Sequence, residues 1–172
     1  HATMPLNFQM NSKEALETFR SALTGESFSI EAPVFYMNKT GIARGPLVGG
    51  NLSIIYSLLG TTDAYDFKGS ILFIEDLSEQ LYHIDRMLFS LQKAGGFDEI
   101  KALVIGGMTD LQDTTPSFGM TYEDAILEKV KDNNVPICFN FPTGHIEDNR
   151  AMIIGAMVEL EVNEQGAKLC YI

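Results

Sequence analysis

The sequence has no tryptophan, only two cysteines and only three histidines in 172 residues. Cations are also scarce: 12 Lys and Arg face 23 Asp and Glu, for a formal charge of −11. A chain this acidic is a poor general binder of phosphate backbones and is repelled by anionic membrane surfaces, so neither nucleic acid nor membrane is an expected partner. Cys138 and Cys170 fit no disulfide framework and no metal-ligand spacing; they read as small residues of a reducing compartment, with a single bridge between them as the alternative. No apolar run reaches the roughly 18 residues of a membrane-spanning helix, and no signal peptide is visible. The nucleophile-elbow pattern Gly-x-Ser-x-Gly is missing. Asp110, Asp113, His145, Glu147 and Asp148 have no recognised ligand spacing, so no metal is expected. The sequence opens on His1 instead of Met, so a preceding stretch of chain is expected.

What is present is an ordinary globular composition, 45% apolar and 20% charged, in a length that suits one domain. Asn11 to Leu23 reads as a helix, with Asn11 as cap, Glu14 as its capping-box partner, and Ala15, Leu16, Phe19 and Leu23 on one face. Gly25 ends it. Extended stretches follow at Ser27–Met37, broken at Pro33, and at Ile42–Val48. Gly49-Gly50-Asn51 leads into a helix over Leu52–Leu59, stopped by Gly60. Ser70–Ile74 is a short unbroken apolar run, read as a central buried strand. Leu81–Lys93 is an amphipathic helix with Leu81, Ile84, Leu88 and Leu91 inward. Lys101–Ile105 and Pro136–Phe141 are two more buried strands, flanking a helix over Thr121–Asp132 capped by Thr121. The alternation of Val158, Leu160 and Val162 against Met157, Glu159 and Glu161, with a turn at Asn163–Gly166, predicts a terminal hairpin. The fold class is therefore α/β, a mixed sheet with flanking helices. Residues 1–10 read as the remnant of a linker and 11–172 as the domain.

Loops at the C-terminal ends of parallel strands are where α/β proteins place ligands. His145 follows Gly144 in such a loop, and Glu75 closes the Ser70–Ile74 strand. If those strands are parallel, both side chains reach one sheet edge. A carboxylate holding one imidazole nitrogen leaves the other free to act as a base, which makes two thirds of a hydrolytic triad. Equally, Glu75 could cap the next segment. His1 stands at the chain terminus, and His83 reads as a surface residue of a helix. A nucleophile is harder to find. Ser53 and Ser57 sit in a helix, Ser70 precedes a strand, and Cys138 lies in a buried strand; Ser117, in a loop, is the least unsuitable. Asn51 could donate to a substrate carboxylate, together with the N–H groups of the helix it opens, or could simply cap that helix.

Several strings recur together: Gly45-Pro46-Leu47-Val48-Gly49-Gly50-Asn51-Leu52, Leu59-Gly60-Thr61, Ile71-Leu72-Phe73-Ile74-Glu75-Asp76, Ile84-Asp85-Arg86-Met87-Leu88, and Gly144-His145 with Asn149. In that order and spacing, from about Pro5 to the C-terminus, the chain resembles the C-terminal half of the LD-carboxypeptidase family. That family includes muramoyl-tetrapeptide carboxypeptidases and microcin C immunity proteases. His1-Ala2-Thr3-Met4-Pro5 resembles the segment joining the two family domains. The resemblance implies a swivelling β/β/α domain. It also implies a Ser-His-Glu peptidase in which Glu75 is the acid, His145 the base and Asn51 a substrate contact. The serine belongs to an N-terminal domain that this sequence does not contain. The implied substrate is a muropeptide, cleaved at its terminal D-residue during peptidoglycan recycling. The implied setting is a cytoplasmic homodimer without metal or organic cofactor. Cleavage of a peptidyl nucleotide, as by the microcin immunity proteases, and a non-catalytic binding or dimerisation module are the alternatives. Asp85-Arg86 is family-like and reads first as an ion pair or subunit contact.

Overall fold

The computed structural model describes His1–Ile172. In chain order the elements are α1 (Lys13–Thr24), β1 (Ser29–Pro33), β2 (Gly41–Asn51), α2 (Leu52–Leu58), β3 (Ile71–Leu77), α3 (Leu81–Lys93), β4 (Ala102–Thr109), α4 (Tyr122–Lys129), β5 (Ile137–Cys138), β6 (Met157–Asn163) and β7 (Gly166–Tyr171). The strands form one seven-stranded mixed sheet in the order β1-β7-β6-β2-β3-β4-β5.

Two kinds of pairing meet in β2. Its first half, Gly41–Pro46, pairs antiparallel with β6, and its second half, Leu47–Asn51, pairs parallel with β3. The parallel half continues through β4 to β5. Strands buried on both faces read as continuous apolar runs, and β3 is buried from Ile71 through Asp76. Its alternate residues feed two cores. Leu72 and Ile74 join Ile84, Leu88 and Leu91 of α3 and Ala125 and Ile126 of α4. Ile71 and Phe73 join Val158, Leu160 and Val162 of β6 and Leu169 of β7. The antiparallel half thus covers one face of the parallel half, and α2, α3 and α4 cover the other. This is the expected β/β/α layering.

Most elements lie where the sequence places them. Helix α3 runs over the expected Leu81–Lys93, and the terminal hairpin has its three apolar residues buried. Thr121 caps α4 by accepting from the Asp124 N–H. Three readings are corrected. Ser12, not Asn11, caps α1, accepting from the Ala15 N–H at 3.0 Å; Asn11 instead donates to the Glu147 carbonyl at 2.9 Å. Leu23 is 71% exposed, because α1 buries only Ala15 and Ser21 fully. The Pro136–Phe141 run contains just two residues of regular strand. Its apolar side chains are buried all the same: Phe139 N–H is taken by the Asn38 side chain and Phe141 N–H by the Ile105 carbonyl.

Candidate active site

Strands β2 to β5 run parallel, so their C-terminal ends share one edge of the sheet. Asn51 at the end of β2 is in register with Glu75 in β3. The pairing of β3 with β4 shifts between Ile74 and Asp76. Glu75 follows Phe73 towards the second core, and Asp76 turns to the helical side.

On that helical side Asp76 is 2% exposed. Its carboxylate accepts from the Asn51 side-chain amide at 2.9 Å, from the Ser53 N–H at 3.0 Å and from the Leu77 N–H at 2.9 Å. Burial pushes its carboxyl above the ordinary value, and these three donors oppose the shift in part. Asn51 caps α2, its side-chain oxygen accepting from the Ile54 N–H at 3.2 Å and the Ser53 hydroxyl at 2.5 Å. The free N–H groups expected to greet a substrate are therefore engaged by Asn51 and Asp76. Asn51 acts as the helix cap, and one hydrogen of its amide is left without a protein partner.

Glu75 is fully buried, and its Oε2 lies 2.7 Å from Nδ1 of His145. The loop that carries His145 is fixed at several points. Gly107 N–H donates to the Thr143 carbonyl at 2.8 Å, continuing the chain beside β4. Gly144 N–H donates to the Asn149 side chain and the Thr109 hydroxyl to the His145 carbonyl, both at 2.9 Å. Two glycines permit the approach. Gly144 has φ +111°, and a Cβ on it would lie 2.9 Å from Cβ of Glu75. A Cβ on Gly106 would collide with the Thr143 carbonyl oxygen.

Burial pushes the Glu75 carboxyl up, but the imidazoles of His1 and His145 beside it outweigh burial and hold the group below its ordinary value. The carboxylate is thus the stable form. It accepts the hydrogen bond of His145 Nδ1–H and leaves Nε2 as the basic nitrogen on a side chain 48% exposed. His145 lines a cavity of about 450 Å³ together with His1, Thr3, Asn11, Thr109 and Asp110, among others. No serine or cysteine lines it. The serines considered as nucleophiles are engaged elsewhere. Ser117 donates to Asp113 at 2.6 Å, Ser53 to Asn51 at 2.5 Å, Ser57 to the Ile54 carbonyl and Ser70 to the Phe67 carbonyl, both at 2.7 Å. Burial pushes the Cys138 thiol up to about 12, so it is no thiolate near neutrality.

One participant escaped the sequence reading. Nε2 of His1 lies 3.4 Å from Oε1 of Glu75, and the His1 side chain is 21% exposed. The signal that could have found it was the likeness of His1–Pro5 to an interdomain segment. His83 and Asp85 take structural roles, His83 with Glu79 at 2.6 Å and Asp85 with Lys129 at 2.8 Å. Arg86 lies over the ring of Tyr82, 5.3 Å from its centroid.

The chain is similar to several known proteins. A family model described as the LD-carboxypeptidase C-terminal domain matches residues 44–160. A probable murein peptide carboxypeptidase of Bacillus subtilis is 32% identical over 127 residues, 74% of this chain and 40% of its own. A murein tetrapeptide carboxypeptidase of Pseudomonas aeruginosa is 31% identical over 121 residues, 70% of this chain and 39% of its own. The chain thus spans about 40% of the length of these curated relatives. Among solved structures, the muramoyltetrapeptide carboxypeptidase of Oxalobacter formigenes superposes with a TM-score of 0.83 at 27% identity, covering 93% of this chain and 55% of its own. The microcin C7 self-immunity protein MccF shares the fold, with a TM-score of 0.74 at 16% identity over 98% of this chain and 56% of its own.

Proposed function

The chain belongs to the LD-carboxypeptidase C-terminal domain family, and from that premise we propose that it supplies the base and the orienting acid of a serine carboxypeptidase. In this reading the nucleophile comes from a preceding domain of the same polypeptide and enters the cavity beside His145. The substrate is a muropeptide, and the bond broken links an L-centre to a terminal D-residue.

The observation that carries the reading is the His145–Glu75 hydrogen bond at the wall of a cavity lined by no serine or cysteine. Nε2 of His145 accepts the serine proton as the serine oxygen attacks the scissile carbonyl. The imidazolium then gives that proton to the departing amine, releasing the D-amino acid and leaving an acyl-serine. A water, deprotonated by the same nitrogen, attacks the ester and restores the serine. Glu75 holds the ring through Nδ1–H and stabilises the imidazolium without taking its proton. Asn51 is the proposed substrate contact, through the amide hydrogen that Asp76 leaves free.

The proposed setting is a cytoplasmic homodimer. Two unpaired cysteines suit a reducing compartment, and no helix is long and apolar enough to cross a membrane. The decisive experiment gives the full-length protein a muramoyl tetrapeptide and, separately, an aminoacyl sulfamoyl nucleotide. Release of D-alanine from the first, abolished by His145→Ala, is expected. Cleavage of only the second would move the protein to the microcin-immunity activity, and cleavage of neither would leave a binding module.

A further inference from the structure

An ionised carboxylate has two oxygens to satisfy, and in a fully buried one neither can turn to solvent. Glu75 is such a group. His145 serves Oε2, whereas Oε1 is buried with no hydrogen-bond partner. The side chains and backbone that wall it in offer little. Gly106 and Gly144 crowd its Cβ, and neither has a side chain to donate. His1 and His145 are the two titratable groups whose charges act on it. The donor nearest Oε1 is Nε2 of His1, at 3.4 Å. That separation is an ion-pair distance, longer than a well-formed hydrogen bond.

His1 is held in that place. Its backbone nitrogen donates to the Met152 carbonyl at 2.9 Å, and its carbonyl accepts from the Met152 N–H at 2.8 Å. A peptide N–H at this position would make the same donation. The ring meets Phe73 edge-on, with centroids 5.2 Å apart and planes at 78°. Two residues on, Thr3 is buried and its hydroxyl bonds to the Asn11 side chain. The segment read as a linker is therefore seated on the domain beside the cavity.

We propose that His1 is a positioning residue for the triad acid: its Nε2–H holds Oε1 of Glu75 while His145 holds Oε2, so that one buried carboxylate is gripped by two imidazoles. The terminal torsion of a glutamate is soft and roughly two-fold. With one donor the carboxylate can rotate and carry the His145 ring with it. With a donor on each oxygen its plane is set, and so is the direction in which Nε2 of His145 points. This role rests on the carboxypeptidase reading above for its catalytic consequence, but not for the bond itself.

The test compares full-length wild type with His1→Leu, which keeps an apolar contact with Phe73 and removes the donor, and His1→Gln, whose amide can still donate. By analogy with the partners that orient metal-bound histidines, a supporting group here is worth about 10–100-fold in activity. His1→Leu is expected to lose kcat in that range with KM unchanged, and His1→Gln to recover most of it. Unaltered kcat in His1→Leu, or a loss in KM alone, overturns the proposal. An activity-independent readout accompanies it. Proton spectra of the wild type should show low-field imidazole N–H signals from both His145 and His1, and His1→Leu should lose the second while keeping the first. Absence of the His1 signal overturns the proposal whether or not the enzyme turns over. A wild type inactive on muropeptide that retains both signals defeats the carboxypeptidase reading and leaves the two-imidazole grip standing.

Discussion

Nδ1 of His145 and Oε2 of Glu75 lie 2.7 Å apart although 70 positions separate them in the chain. Two features of the sheet bring them together. Parallel pairing puts the ends of β3 and β4 at one edge, and the segment after β5 runs on beside β4 until Gly144 turns the chain across Glu75. The pair is an ordered hydrogen bond between a buried anion and a half-exposed ring, the arrangement a general base needs.

Replacing His145 by alanine in the full-length protein removes the base while leaving the core intact. D-alanine release should fall by about 10³-fold or more in kcat, as triads lose when a member is removed. The melting temperature should fall as well, because the buried Glu75 carboxylate loses the donor on its Oε2, and circular dichroism at the assay temperature checks that the variant is folded. Retention of near-normal turnover would take His145 out of the mechanism.

The 172-residue chain by itself should release no D-alanine from a muramoyl tetrapeptide, because no serine or cysteine lines the cavity at His145. Turnover above the uncatalysed rate, abolished by His145→Ala, would show that a nucleophile is present in this chain after all.

Gly144→Ala strains a residue at φ +111° and pushes a methyl group to 2.9 Å from Cβ of Glu75. Overpacking of this kind costs about 1–3 kcal/mol. Denaturant unfolding should report a loss in that range, and in the full-length enzyme kcat should fall as the His145–Glu75 bond is pried apart. A variant as stable and active as wild type would show that the loop has room to yield.

Acid should act on the fold through Glu75. Its native carboxyl titrates below its ordinary value of 4.5. The stability it contributes is therefore complete above about pH 4.5 and is lost as pH falls through the lower native value. Asp76, whose carboxyl is raised, has the opposite sign. Unfolding free energies of wild type and Glu75→Gln, measured from pH 7 downward, isolate the Glu75 share because Asp76 is common to both. Their difference should shrink in the acid range, and a constant difference would contradict the assigned shift.

Asp76→Ala should destabilise the domain by about 1–3 kcal/mol, the cost of leaving buried donors without an acceptor. The donors concerned are the Asn51 amide and the Ser53 and Leu77 N–H groups. A melting temperature equal to wild type would mean that water takes over as acceptor.

Periodicity made the regular elements readable. The spacing of Ile84, Leu88 and Leu91 marks α3, and the alternation at Val158, Leu160 and Val162 marks β6. Glu75 and His145 were readable because each follows an apolar run, and strand ends are where side chains leave the core. The remaining discrepancies have local causes. Ser12 outcompetes Asn11 for the cap because Asn11 is drawn to Thr3 and the Glu147 carbonyl. The apolar Phe139 and Phe141 signal burial, and burial does not require ladder pairing. The likeness of His1–Pro5 to an interdomain segment hinted at His1, but its contact with Glu75 could not be read from sequence, since its place is set by the backbone of Met152 and the ring of Phe73.

The shift in pairing between Ile74 and Asp76 gives two adjacent acids separate duties. One is buried behind His145 and is held as an anion by imidazoles; the other faces inward to α2 and is held by amides. Engineers therefore have two independent handles one peptide bond apart. Substitutions at Asp76 should alter the seating of Asn51 and α2 without touching the His145–Glu75 pair, and substitutions at Glu75 should silence chemistry while the framework of α2 stays in place.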